Sequence, residues 1–567
     1  MSDEDGIAPE NTQSPRESPS TEPVPDAEDI ELRSLQQEGA ESSDNPRSRF
    51  RQYAILLALF LSLFIAALDQ TITATAVPTI SNELHSASGY TWIGGAYLLA
   101  NAAAAPLWAK LSDIWGRKPL LLTAVAWFFV SSIICAKAVN MKMLIAGRAL
   151  QGTAGGGLIQ LVNICISDMY SMRSRTLYLG LLEFMWALAG GIGPILGGVF
   201  TQLVSWRWNF WINLPVSGST FVLLAIFLDV HNPRTKAVEG IKAIDWFGSI
   251  SILGLTLMLL LGLDFGGVIF PWTSPKVICL VVFGALMSVF FILSEKKLAK
   301  YPLMPLSIFS RRSNIASLIV CYAHGFVFIA GEYYLPLYFQ SVKQATPIKS
   351  GLYLLPLTVL EALMGIIAGV FIHRTGRYLE PIWAGMALLT IGNGLYILLT
   401  ATSSLGEIIG FEIVAGIGAG LLFEPPLIAM QALVAQDDVA SATATIGFVR
   451  NMATSMSIVI GGVVFQNSMA LRAPELRAAG LSAELVGDFT GGDAAASVEL
   501  IGTVMDPATQ LVVKEAFAWS LRNMWALMTG VCGVGFFAGL FITKAKLSRE
   551  HTETRTGLKE KREDARG

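Results

Sequence analysis

Two stretches decide how this chain is read: "AKLSDIWGRKP", Ala109 to Pro119, and "GVFIHRTGRYL", Gly369 to Leu379. Aligning Ala109 with Gly369 places Gly116 on Gly376 and Arg117 on Arg377, while Asp113 falls on His373 and Lys118 follows the first Gly-Arg. A small residue, a short polar reach and then Gly-Arg predicts a tight basic turn. Glycine supplies a backbone angle that other residues avoid, and arginine forks onto a carboxylate or onto the carboxyl end of a helix. A basic loop that only sets topology accounts for one copy. Its recurrence at the same spacing implies that two halves of the chain are related.

The sequence around these turns belongs in a bilayer. Hydrophobic residues make up 53%, charged residues 15%, and the mean hydropathy is +0.55, against about 25% charged residues in an ordinary soluble chain. From Tyr53 onward, apolar runs recur that are long enough, at 1.5 Å per residue, to cross a hydrocarbon core of about 30 Å. They predict fourteen spans, from 53–76 to 523–543. An even number puts both termini on one side. The excess of Lys and Arg in alternate short loops, among them Arg117, Lys118, Arg173, Arg175, Arg374 and Arg377, assigns that side to the cytoplasm. Asp437 and Asp438 break this pattern, and the sequence offers no reason for it.

Other classes of function are excluded by what is missing. A net charge of -3 is too near neutral for a nucleic-acid partner. Cys135, Cys165, Cys279, Cys321 and Cys532 lie in apolar runs without metal-ligand spacing, so each is expected to be a small buried residue. The histidines are scattered, and no phosphate loop, zinc helix or nucleophile elbow stands beside a plausible strand. No metal, no cofactor and no enzyme activity are expected. Residues from Met1 to about Asn45, rich in Asp, Glu, Ser and Pro, read as a disordered acidic tail rather than a targeting peptide.

The expected organisation is an all-α polytopic membrane protein of two six-helix halves with two additional central helices. Its parts are a tail at 1–50, an amino-terminal half at 51–228, inserted spans 7 and 8 at 229–313, a carboxy-terminal half at 314–543, and a tail at 544–567. The only long outer loop, 467–522, is expected to carry an interfacial helix near Ala508 to Ser520. Parallel six-helix repeats are the architecture of major facilitator transporters. The chain resembles that superfamily through the repeat and through "LDQTITATAVPTI" (Leu68 to Ile80), "AGRALQGTAGGG" (Ala146 to Gly157), "GGIGPILGG" (Gly190 to Gly198), "WRWNFWINLP" (Trp206 to Pro215) and "YYLPLYFQ" (Tyr333 to Gln340). Together these are similar to the fourteen-spanner drug:proton antiporter family, in particular its fungal toxin and secondary-metabolite exporters.

The "WALAGGIGPILGGVF" stretch, Trp186 to Phe200, combines apolar character with helix breakers. Ala189, Gly193 and Gly197 form one small stripe, with Gly190, Pro194 and Gly198 beside it. Such stripes let helix backbones touch, and a bend at Pro194 is tolerated where a neighbour covers it. The resemblance implies the antiporter motif, sealing span 5 against its neighbours.

Charges inside spans cost about 2.5–3.5 kcal/mol each on insertion scales and face a cavity or a partner. Asp69 and Arg148 fall on family motifs, and the resemblance implies gating and proton coupling for them. Glu183, Glu332 and Glu361 rest on burial alone, with two readings open: proton carriers, or structural partners of Arg148, Arg450 or a helix end. Glu412 and Glu424 are expected to reach water. Trp186, Phe326, Phe328, Tyr333, Tyr334, Tyr353 and Phe423 supply aromatic surface for flat apolar molecules.

The resemblance therefore implies efflux of small amphipathic organics in exchange for protons, driven by the proton gradient, by a monomer in the plasma membrane. The vacuolar membrane is the alternative location. Alternative functions are a proton-coupled importer of a siderophore or basic amino acid, and a membrane-embedded sensor or enzyme.

Overall fold

The computed structural model describes residues 49–550, apart from 75, 85–88, 231–232, 234, 267–269, 300, 491–493 and 496. The acidic tail and the last residues of the chain therefore lie outside the described residues. The chain divides into Met1–Tyr53 and Ala54–Gly567, and of the first unit only the opening of the first helix is described.

Regular structure among the described residues is helical, apart from one isolated bridge between Gly266 and Phe270. The long helices are α1 (Arg49–Ala74), α2 (Gly89–Trp115), α3 (Arg117–Ala136), α4 (Met141–Met169), α5 (Met172–Leu203), α6 (Asn213–Phe227), α7 (Trp246–Phe265), α8 (Pro275–Lys297), α9 (Arg312–Ser341), α10 (Pro347–Thr375), α11 (Leu379–Tyr396), α12 (Leu405–Gly420), α13 (Val439–Leu471) and α14 (Pro507–Gly539). Among the described residues, 11 stretches are long and apolar enough to cross a membrane. The helices α2, α11 and α14, also read as spans from the sequence, run beside them without meeting that criterion.

The two decisive turns are built as expected. Gly116 and Gly376 hold φ of 93° and 73°, the left-handed region in which a β-carbon is strained. Gly116 separates α2 from α3, and Gly376 closes α10 with its N–H on the Ile372 carbonyl at 2.7 Å. Their arginines differ. Arg117 is buried and bonds Asp113 at 2.5 Å and Asp168 at 2.8 Å, whereas Arg377 is exposed and pairs with Glu380 at 2.7 Å. We call the side of the bundle carrying these turns the basic face.

The hairpin α7–α8 packs on α2 and α13. An apolar cluster of Ile252, Leu303, Met304, Leu107 and Phe448 joins it to both. This corner also accounts for one of the two acidic residues in a basic loop: Lys110 of α2 is within electrostatic reach of Asp113, Asp245, Glu295 and Asp438, so Asp438 answers a lysine on a neighbouring helix. Two expectations are corrected. Ala508 to Ser520 is no separate interfacial helix but the opening of the 33-residue α14, because no residue after Pro507 breaks the helix. Cys279 is exposed on α8, while the other four cysteines are buried. Little of α8 packs against the rest of the bundle.

Candidate functional site

One polar network closes the end of the amino-terminal half away from the basic face. Arg148 of α4 pairs with Asp69 of α1, and its Nη1 donates to Gln151 at 2.7 Å and its Nε to the Ile93 carbonyl at 3.0 Å. Gln151 and Asn213 each donate to Asp69 Oδ1 at 2.8 Å, and Gln151 also reaches Ser132 at 2.9 Å. The Tyr97 ring lies 4.5 Å below the guanidinium. Asp69 is 0% exposed and Arg148 1%, so α1, α2, α3, α4 and α6 meet on one desolvated ion pair. Every oxygen of Asp69 has a donor, the condition under which a buried pair is tolerated. Gln151 stands one helical turn beyond Arg148 in "AGRALQG", and Asn213 lies in "WRWNFWINLP"; Ser132 carries no sequence signal. Beyond it, Trp206 and Arg207 each donate to Glu83 at 2.7 Å. The Arg207 bond holds the Glu83 carboxyl below the usual carboxylate range.

The antiporter stretch is used on one stripe. Ala189, Gly193 and Gly197 are buried, and Thr71 of α1 donates to the Ala189 carbonyl at 2.9 Å. A β-carbon at Gly193 would overlap the Thr71 side chain and stand 3.1 Å from the Ile72 nitrogen. The second stripe packs against nothing: Gly190 and Pro194 are exposed, and β-carbons at Gly190, Gly191 and Gly198 would meet no atom within 4 Å. Neighbouring stripes on a helix point about 100° apart, and in this structure α1 covers only one of them.

The halves meet along α5 and α10 at the basic face. A β-carbon at Gly369 would lie 2.6 Å from the Thr176 carbonyl, and one at Gly180 would lie 3.0 Å from the Gly365 carbonyl. Arg173 donates to the last carbonyls of α10, His373 at 2.6 Å and Arg374, while His373 Nδ1 lies 3.1 Å from the Arg173 carbonyl. Arg175 donates to Gln431 at 3.1 Å, and Gln431 to Ser167 at 3.1 Å. A cation on the carboxyl end of a helix also meets its dipole favourably. Toward the opposite face, β-carbons at Gly190 of α5 and Gly351 of α10 would each meet no atom within 4 Å. Lys118 bonds the Ala225 carbonyl at 2.8 Å within its own half.

Between these ends the carboxyls gather. Glu183 of α5 pairs with Glu424, next to Arg450 of α13, and Glu332 of α9 pairs with Glu361 of α10; Glu361 is also within electrostatic reach of Glu183. Arg450 donates to the Phe423 carbonyl. Two carboxyls in hydrogen-bond contact need a proton between them, since one must donate. Arg148 is engaged elsewhere and partners none of the three carboxyls left open by the sequence. Glu412 and Glu424 do not reach water: they are 0% and 5% exposed. Counting from a helix end gives depth, whereas burial depends on which way the helix faces. Phe328 and Phe423 stack around His324 at 5.2 and 4.7 Å, Phe326 and Tyr334 are core, Trp186 and Tyr353 are half-buried, and Tyr333 is exposed.

The sequence profile of the Major Facilitator Superfamily matches residues 59–462. The chain belongs to that superfamily. It is a membrane transporter rather than an enzyme. Among its relatives are "Efflux pump dotC" of Dothistroma septosporum, 45% identical over 504 residues, covering 89% of this chain and 86% of that protein, and "Efflux pump FUS6" of Gibberella moniliformis, 35% identical and covering 94% of each. The human organic anion transporter MFSD10 superposes with a TM-score of 0.57 at 14% identity, covering 87% of this chain and 100% of the other. The proton:xylose symporter XylE gives 0.50 at 14%, covering 84% and 98%. These two show the fold alone. In this major facilitator the halves are joined at the basic face along α5 and α10.

Proposed function

We propose that this transporter exports small amphipathic organic molecules in exchange for protons, by alternating access, with fourteen spans, the basic face and both termini in the cytoplasm, and the plasma membrane as its site. The relatives named as efflux pumps support export. The observation that carries the mechanism is the Glu183–Glu424 pair: one carboxyl from each half, at the seam between them, beside the cation of Arg450. Moving the halves apart separates the two carboxyls and changes which water each meets, so proton binding and release follow the rocking of the halves. Glu332 and Glu361 form a second proton-sharing pair next to it.

In this reading the structure is the outward-open state, and Arg173, Arg175, His373 and Gln431 form the cytoplasmic closure. The Asp69–Arg148 network keeps the amino-terminal half rigid, and Gly190, Pro194 and Gly198 form the smooth surface that meets α10 when the outer side closes. The test is accumulation of a panel of labelled toxins and dyes in cells with and without the protein, with and without a protonophore. Efflux that persists after the proton gradient has collapsed rules out exchange for protons. Uptake rather than efflux turns the reading into import.

A further inference from the structure

The helices α9 to α12 line a narrow pocket on the scale of a single water, with Glu361, Asn393, Tyr396, Gly331, Ala415 and Ala419 among its residues. Three polar atoms that face it have no hydrogen-bond partner: Glu361 Oε1, Asn393 Oδ1 and the Tyr396 hydroxyl. All three residues are nine-tenths buried or more. Glu412 stands one turn from Ala415 and two from Ala419 on the same face of α12, and neither of its oxygens has a partner. Tyr396 is within electrostatic reach of both Glu412 and Glu361. Leaving such a group unpaired is costly, and several around one cavity make a site that water fills well.

We propose that this cavity is a hydrated proton-entry site, in which water held by Glu361, Asn393 and Tyr396 joins the Glu332–Glu361 pair to Glu412, and Glu412 exchanges protons with the face opposite the basic one. Glu412 lies seven residues inside α12 from Leu405, roughly 10 Å below the helix end at that face. Glu361 lies fourteen residues inside α10 from Pro347, roughly 21 Å down. Tyr396 is the last residue of α11 at that same face, so the order of depth is outer water, Tyr396, Glu412 and the cavity, Glu361. A protonated Glu412 gives its proton to the bound water as that water gives one to ionised Glu361. One O–H bond breaks and one forms at each transfer, and no electrons leave any group. The titratable group facing Glu412 is Tyr396 of α11, which is also within reach of Glu361 of α10, with Glu332 of α9 behind Glu361. Neither the fold nor the repeat requires a carboxyl at 412, where the α12 residues one turn away are Ile408, Ile409, Ala415 and Gly416.

This inference rests on proton exchange as proposed above, and the experiment separates the two. Purified full-length protein is reconstituted in liposomes containing a pH-sensitive dye, and proton movement coupled to export of a substrate dye is timed for the wild type, Glu412→Gln, Glu412→Asp and Tyr396→Phe. In parallel, infrared difference spectra record the carboxyl bands as pH is changed. Glu412→Gln is expected to slow proton movement roughly a hundredfold and to shift the remaining band of Glu361. Glu412→Asp recovers part of the rate, and Tyr396→Phe, which only removes an unpaired hydroxyl, slows it too. If the wild type moves no protons, exchange fails and the relay with it. If the wild type moves protons while Glu412→Gln and Tyr396→Phe match its rate and pH profile, the relay alone is wrong. Should Glu412→Gln fail to fold, Tyr396→Phe and Glu412→Asp decide: wild-type rates and an unshifted Glu361 band in both overturn the inference.

Discussion

Glu183 of the amino-terminal half and Glu424 of the carboxy-terminal half pair carboxyl to carboxyl across the seam between the halves, with Arg450 beside them. In the proposed exchange a proton shared at this contact links protonation to conformation, and it sets the first prediction. Glu183→Gln and Glu361→Gln keep side-chain volume but carry no proton, so each is expected to reach the membrane and to lose the dependence of efflux on external pH. Transport at the wild-type rate with an unchanged pH profile removes that residue from coupling.

Asp69→Asn is expected to act differently. It leaves the Arg148 guanidinium buried without its carboxylate, and breaking a buried pair from one side costs about 3–5 kcal/mol. Thermal unfolding in detergent should show a marked loss of stability for Asp69→Asn, and a smaller one for Gln151→Leu, which leaves the ion pair itself in place. A melting curve for Asp69→Asn that overlays the wild type contradicts the closing role of the network.

The two stripes of α5 separate by substitution. At Gly193 even a methyl group overlaps Thr71, so Gly193→Ala weakens export and Gly193→Leu abolishes it, whereas Gly190→Ala enters open space and folds normally. Equal export and equal stability for Gly193→Leu and Gly190→Ala mean that α1 does not hold α5 at that point.

Gly369 tests the closure at the basic face. A side chain there meets the Thr176 carbonyl, and overpacking costs about 1–3 kcal/mol, enough to change a two-state balance by roughly five- to a hundredfold. Gly369→Leu is expected to open the contact between α5 and α10. The check is the spin-label distance between positions 173 and 374 in the purified protein, which lengthens if the contact opens and stays at the wild-type value if it does not.

Topology has its own measurement. An impermeant thiol reagent applied to intact cells should modify a cysteine placed at Ala479, in the long outer loop, and spare one placed at Ser20. Labelling at Ser20 reverses the assignment of the basic face.

Much of this was legible before the fold was known. Gly116 and Gly376 were readable because a left-handed backbone angle is a local demand that one residue type meets. The membrane helices were readable because a bilayer imposes length and apolarity on each segment separately. Asp69 and Arg148 stood out because charge within an apolar run is rare. Their shared bond was not readable, nor was the part played by Ser132 and Asn213, which look like ordinary polar residues near helix ends.

By itself, then, the sequence determined that the chain is helical and membrane-bound, that its halves repeat, and which residues carry charge into the apolar interior. These follow from short-range rules: backbone sterics, hydrophobic length and the cost of desolvating a charge. Only the tertiary structure decided which way each residue faces and what it meets. Gly193 touches Thr71 while Gly190 meets open space, Glu412 is buried although its depth suggested water, and Arg173 caps α10 from two hundred residues away. A position along a helix fixes depth at 1.5 Å per residue, but rotation about the helix axis is set by packing against other helices, and no local stretch of sequence contains them.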